Sequence, residues 1–145
     1  MSLISPFDPW KSRLCNCPPK YSLSPYTGCG HGCLYCYASS YIPNFYQPRP
    51  KKDFLKRIQK ELERVPPFTY LTISNSSDPY QPLERKERLT KSLLKILFQH
   101  NLRIMIVTKS DLILENIKLI EAQQSVVIAI TLTTLNQNLA KNLNL

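Results

Sequence analysis

An α/β fold built on a parallel sheet is what this sequence predicts, and three observations predict it. After Pro50, short runs rich in β-branched and aromatic residues alternate with stretches whose apolar residues recur at helical spacing. Strand–helix–strand alternation of this kind places consecutive strands parallel, joined by right-handed crossovers. The last two apolar runs are nearly continuous, the pattern of strands covered on both faces. The 145 residues are enough for one domain with a real core.

The elements follow in order. Residues 21–26, just ahead of a cysteine-rich loop, are expected to form the first strand. Residues 52–65 form a helix, with Phe54, Leu55, Ile58 and Leu62 on one face and charges on the other, stopped by Pro66 and Pro67. Residues 68–74 (FTYLTIS) read as the second strand, and 74–82 as a loop with two prolines. A second helix is expected over 84–100, with Leu89, Leu93, Leu94 and Leu97 as its apolar stripe. The third strand is 102–108 (LRIMIVT), the third helix 111–123 with Asp111 as its N-cap, and the fourth strand 126–133 (VVIAITLT). Leu135, Leu139 and Leu143, spaced by four, begin a further helix. Residues 1–20 are expected to be an N-terminal extension and 21–145 the core domain.

The composition, 43% hydrophobic and 20% charged, is ordinary for a soluble protein. No apolar run approaches the roughly 18–20 residues of a membrane span, and the N-terminus has no secretory pattern. A cytoplasmic protein with no membrane partner is expected. The formal charge of +9 leaves nucleic acid or another polyanion open as a partner. The run 49–64 holds seven basic and three acidic residues. Lys51, Lys52, Lys56 and Arg57 are its candidate phosphate contacts; the rival account is a solvated helix face.

The five cysteines, Cys15, Cys17, Cys29, Cys33 and Cys36, all precede residue 37. An odd count without an export signal speaks against a disulfide framework and for metal or redox use. The segment 24–39, SPYTGCGHGCLYCYAS, spaces three of them as Cys29-x3-Cys33-x2-Cys36. Three thiolates so spaced can hold three corners of a cubic four-iron cluster and leave the fourth iron open to a ligand. Gly28, Gly30 and Gly32 are the chain's only glycines. They permit a loop that turns amide N–H groups toward cluster sulfurs. A zinc site using His31, Cys15 or Cys17 as a further ligand is a rival, as is a Cys33–Cys36 dithiol pair. His31 is read as a loop residue beside the cluster, and Cys15 and Cys17 as free thiols or occasional partners.

Cys-x3-Cys-x2-aromatic-Cys at the end of a first strand, followed by β/α units, resembles the radical S-adenosylmethionine (SAM) superfamily. YSLSPYTGCGHGCLYCYA together with SSDPYQPLE and IVTKSD resembles its branch related to spore photoproduct lyase, whose members are often labelled DNA repair photolyases. The resemblance runs from about Leu14 to the end. It implies a partial (β/α) barrel with SAM at the carboxyl ends of the strands and a 4Fe-4S cluster on Cys29, Cys33 and Cys36. It further implies reductive cleavage of SAM to methionine and a 5′-deoxyadenosyl radical, fed by an electron donor such as flavodoxin or ferredoxin. The substrate is left unnamed, with nucleic acid in view. By the same resemblance Tyr35 lies beside the adenine and Tyr37 in the same pocket. Ser77, Asp78 and Lys109 serve the methionyl end, and Thr131 lies near the ribose.

No cysteine follows Cys36, so thymine-dimer repair using a further cysteine as hydrogen-atom donor is not expected. Glu115 and Asn116 stand where relatives often carry Arg-Asp. The expected barrel is cut short after about four strands, which leaves the apolar fourth strand with an open edge. The chain is therefore expected to be a fragment, to self-associate, or to need a second polypeptide that completes the sheet. A non-catalytic metal-binding module contacting nucleic acid, or an inactive fragment, are the competing functions.

Overall fold

The structure, a computed structural model, describes residues 2–7 and 18–143. Cys15 and Cys17, with the roles expected of them, lie outside the described residues. In chain order the elements are β1 (Ser5–Pro6), β2 (Lys20–Leu23), β3 (Tyr26–Thr27) and β4 (Arg49–Pro50), then α1 (Phe54–Leu62) and β5 (Tyr70–Ile73). There follow α2 (Glu84–Glu87), α3 (Leu89–Leu97), β6 (Arg103–Thr108), α4 (Ile117–Glu121), β7 (Val126–Ile130) and α5 (Gln137–Leu143). Two 3-10 turns, Tyr37–Ser40 and Asp111–Asn116, complete the set.

The main sheet has the order β1-β2-β5-β6-β7, parallel throughout except for β1. A second, two-stranded ribbon pairs β3 with β4. This is the α/β class with a mainly parallel sheet that the sequence predicts. The register explains the core. Leu23, Ile73, Ile106 and Ile128 stand in one row across four strands, and Leu71, Ile104 and Val126 in the row beside it. Phe54, Ile58 and Leu62 of α1 and Leu93, Leu94 and Leu97 of α3 belong to the same buried cluster. Each fully buried side chain of this kind contributes about 1.5–3 kcal/mol relative to exposure.

Four departures from expectation have local causes. Residues 84–100 do not form one helix: Arg88 takes φ +48°, and the Glu84 carboxylate turns back to accept from Thr90 N at 2.9 Å and Lys91 N at 3.1 Å. Glu84 thus satisfies amides that an uninterrupted helix would have bonded internally. The third helix tightens to a 3-10 turn over its first half, with the Ser110 side chain, not Asp111, capping it by accepting from Leu112 N. The first strand ends at Leu23, because Tyr26 leaves the sheet to pair with Pro50. Finally, the two last strands are not buried on both faces. The helices cover one face, while Val127 on the other is 62% exposed. Along β6 burial alternates, as in a strand with one covered side. The sheet also gains β1, whose neighbours Leu3 and Ile4 join the core.

Candidate metal centre

All the segments that carry candidate chemistry emerge from the carboxyl ends of the parallel strands. The cysteine loop follows β2, residues 74–82 follow β5, Lys109 follows β6, and Thr131 follows β7. Parallel sheets place ligand sites at this end because each loop there leads from a strand toward a crossover.

The cysteine loop is shaped by its glycines and by two backbone anchors. Gly28 takes φ +79°, and a Cβ there would sit 2.4 Å from the Phe45 carbonyl oxygen. Gly32 is also left-handed, at φ +66°. Cys29 N donates to that same Phe45 oxygen at 2.8 Å, and Cys36 N donates to Cys33 O at 3.2 Å, closing the turn between the second and third thiols. Ser39 Oγ then donates to Cys36 O at 2.7 Å, which starts the Tyr37–Ser40 turn. Cys29 and Cys33 are buried, Cys36 is half-buried, and none of the three is in a disulfide. Burial pushes the Cys29 thiol up, opposed by hydrogen bonds from the Asp78 and His31 backbone.

These three thiols line a single cavity of about 160 Å³ together with Tyr35, Tyr37, Ser77, Asp78, Lys109 and Thr131. Every residue that the family resemblance assigns to the cluster or to SAM therefore lines this one cavity. A neighbouring cavity of about 400 Å³ shares His31, Lys109 and Thr131 with it and continues beneath residues 131–134. A larger groove of about 560 Å³ lies elsewhere, on the uncovered sheet face by Lys20, Tyr70, Arg103 and Met105. It holds no thiol or carboxylate, so size alone does not make it the chemical site.

The polar residues differ in what they leave available. Lys109 Nζ reaches Cys33 Sγ at 3.0 Å, hydrogen-bonds the Tyr35 hydroxyl and lies 4.6 Å from that ring's centroid. Burial pulls the ammonium's pKa down, but the Cys33 and Tyr35 partners outweigh it and leave it above the ordinary lysine value. Tyr35 also meets Thr133 Oγ1 at 2.9 Å, while Tyr37 is 68% exposed and faces Tyr41. The Asp78 carboxylate is buried and heavily bonded. It accepts from Thr108 Oγ1 at 2.6 Å, Tyr80 N at 2.8 Å and Lys109 N at 2.9 Å. Burial raises its pKa, yet His31 and these donors hold it below the ordinary aspartate value. His31 Nε2 stands 3.4 Å from Asp78 Oδ2 and has no well-aimed hydrogen-bond partner. Ser77 is buried, with its hydroxyl shared with Ser24 Oγ at 2.7 Å and donated to Tyr26 O at 3.3 Å. Thr131 is exposed at the rim, its N–H donating to Thr108 O at 2.9 Å.

The donor set suits a multi-iron cluster better than a single ion. Among the described residues no three His, Cys, Asp or Glu side chains converge closely enough to hold one metal. A cubane asks for something else: separate thiolates on separate corner irons, around a space large enough for the inorganic core. Three cysteines lining one cavity, none of them in a disulfide, are compatible with that demand.

The sequence alone does not single out Gln81, Phe45 or Tyr26, although each braces this loop. Tyr26, fully buried, hydrogen-bonds Glu84, and both burial and that carboxylate push its hydroxyl pKa up strongly. The one available signal is the run of polar and proline residues at 77–82, too dense with chemistry for a plain turn. The candidate phosphate contacts are less uniform than the sequence suggests. Lys52 and Lys56 are exposed, while Lys51 and Arg57 are half-buried, and burial with the Arg57 charge lowers the Lys51 pKa.

The family model described as the Radical SAM superfamily matches residues 23–144. An uncharacterized protein of Methanocaldococcus jannaschii is 29% identical over 130 residues, covering 86% of this chain and 48% of its own length. The chain thus spans about half the length of that curated relative. No solved structure matches the chain at a significant level.

Proposed function

The chain belongs to the radical SAM superfamily, and from that premise we propose that Cys29, Cys33 and Cys36 hold a 4Fe-4S cluster in a SAM-cleaving enzyme. The observation that carries this is the shared cavity: three cysteines of one loop, none in a disulfide, line one space at the carboxyl ends of the parallel strands. When bound, the cluster and SAM would supply reductive cleavage of the sulfonium and so a 5′-deoxyadenosyl radical.

The chain's own residues bind and orient. The Gly28 turn and the Phe45 carbonyl fix the loop from which Cys29 projects. Lys109, a cation at the end of β6, would pair with the methionyl carboxylate, and Tyr35 and Tyr37 would flank the adenine. Asp78 acts through the peptide of Lys109, holding it from Oδ2, and Ser77 through the turn at Tyr26. Thr131 would face the ribose from the rim. Membership of the spore photoproduct lyase-related branch, an electron donor of flavodoxin or ferredoxin type, and a nucleic-acid substrate extend the proposal. They rest on the motifs 76–84 and 106–111 and on the charge of +9.

The test is anaerobic reconstitution, reduction with dithionite and assay for methionine and 5′-deoxyadenosine in equal amounts. Loss of both products in Cys33→Ala is the expected control. A fully iron-loaded, reduced protein that binds SAM but releases neither product would refute SAM cleavage by this chain.

A further inference from the structure

Gln81 is a buried polar residue to which the proposed function assigns no role. It is 0% exposed, lies 51 residues beyond the cysteine loop's Gly30, and is bracketed by Tyr80 and Pro82. Both polar atoms of its side-chain amide are nevertheless bonded. Oε1 accepts from Gly30 N at 2.8 Å, and Nε2 donates to Gly28 O at 3.3 Å. Those two backbone groups lie immediately before and after Cys29. From the other side, the Phe45 carbonyl accepts from Cys29 N at 2.8 Å.

We infer that Gln81 is the positioning residue of the cysteine loop, its amide clamping both peptides that flank Cys29 and so aiming that thiol into the cavity. This rests on the proposed function for its purpose, but the clamp itself is a property of the polypeptide. Only a primary amide of this length supplies a donor and an acceptor to a neighbouring C=O and N–H at once. Gly28 is buried, so its carbonyl left unpaired would carry a desolvation cost, and the Gly30 N–H, in a part-buried bond, a smaller one. The glutamine is held in turn by its surroundings. Gln81 N donates to Asp78 O at 3.4 Å, its carbonyl accepts from Glu84 N at 2.9 Å, and Glu84 anchors to Tyr26. The segment 77–84 thereby links the cysteine loop to the ends of β5 and β6 through Gln81 and Asp78.

Two variants test it in the full chain, Gln81→Ala and the nearly isosteric Gln81→Glu. The carboxylate keeps the acceptor for Gly30 N–H but faces the Gly28 carbonyl with a second acceptor. The first readout is the rate of iodoacetamide labelling at each cysteine before iron is supplied, resolved by peptide mass spectrometry. Cys29 should label about tenfold faster in both variants, the change expected for loss of a buried hydrogen bond, while Cys36 stays within about twofold. Unchanged labelling of Cys29, or an equal rise at Cys36, overturns the clamp. Should Gln81→Ala lose its cooperative thermal transition, Gln81→Glu alone decides. The second readout is the reduced, reconstituted protein. Gln81→Glu should shift the electron paramagnetic resonance g values and lose iron to a chelator about tenfold faster. Unaltered g values and chelation rate would limit Gln81 to the apo fold and overturn its role toward the cluster. A wild-type chain that takes up no iron would overturn the cluster proposal instead, with the labelling result still deciding the clamp.

Discussion

Gly28 shows how tightly the site depends on single atoms. Its φ of +79° and the 2.4 Å that would separate an added Cβ from Phe45 O act together, so Gly28→Ala should cost at least about 2 kcal/mol and reduce iron uptake. Gly30 is the internal control. Its added Cβ would meet Pro48 Cγ at 3.4 Å, ordinary contact, so Gly30→Ala should cost less than about 1 kcal/mol. Urea melts of the two variants check the contrast, and equal losses would mean that the loop is not held as described. The grouping of the three cysteines around one cavity was legible from the sequence because it is local, three thiols and two glycines that turn left-handed within nine residues. Gln81 and the Phe45 carbonyl were not. Their roles are backbone contacts made across long sequence separations, and no residue type announces them.

At the scale of elements, periodicity revealed the strands and helices and tertiary contacts moved their ends. Nothing in ERKERLTKSLLKIL predicts a break at Arg88, since all its residues suit a helix. The break follows from Glu84 being held by Tyr26 and spent on capping α3. The strand β1 was illegible because two residues carry no alternation. It is held instead by Glu61 of α1, whose carboxylate accepts from Leu3 N and Ile4 N, each at 2.9 Å. Burial raises the Glu61 pKa, but these amides and Ser2 win and leave it below the ordinary glutamate value. The stabilisation is therefore full above the unfolded pKa of about 4.3 and is lost as pH falls through the lower folded value. Glu61 is partly exposed, so its contribution is screened to below about 1 kcal/mol. Thermal melts of Glu61→Gln and wild type should differ near neutrality and converge at strongly acidic pH; a constant gap would contradict the linkage. In the core, Leu94→Ala should cost about 2–5 kcal/mol by urea titration, since Leu94 is fully buried between α3 and the sheet.

The whole molecule presents an unbalanced surface. Beyond β7 no strand of the described residues pairs with its outer edge, and Val127, Ile130, Leu132 and Leu135 are 62%, 57%, 71% and 89% exposed. An open, apolar parallel edge is a template for further pairing. The chain as given should therefore self-associate at micromolar concentration, and Ile130→Lys with Leu132→Lys should reduce that association, as read by size-exclusion chromatography with light scattering. A sharp monomer peak for the unsubstituted chain would show that five strands suffice. The apolar run 126–133 announced such a surface in the sequence, but its expected burial on both faces did not follow: α1, α3 and α4 share one core with the sheet, while Val127 and Ile130 stay exposed. The cavity at the carboxyl ends of the strands carries the central claim, that three thiolates of one loop hold a four-iron cluster. Iron and sulfide analysis of the anaerobically reconstituted chain tests it most directly. About four irons and four sulfides per chain are expected, lost in Cys29→Ala, Cys33→Ala and Cys36→Ala and kept in Cys15→Ala. One tightly bound zinc per chain, with no uptake of iron, would contradict it.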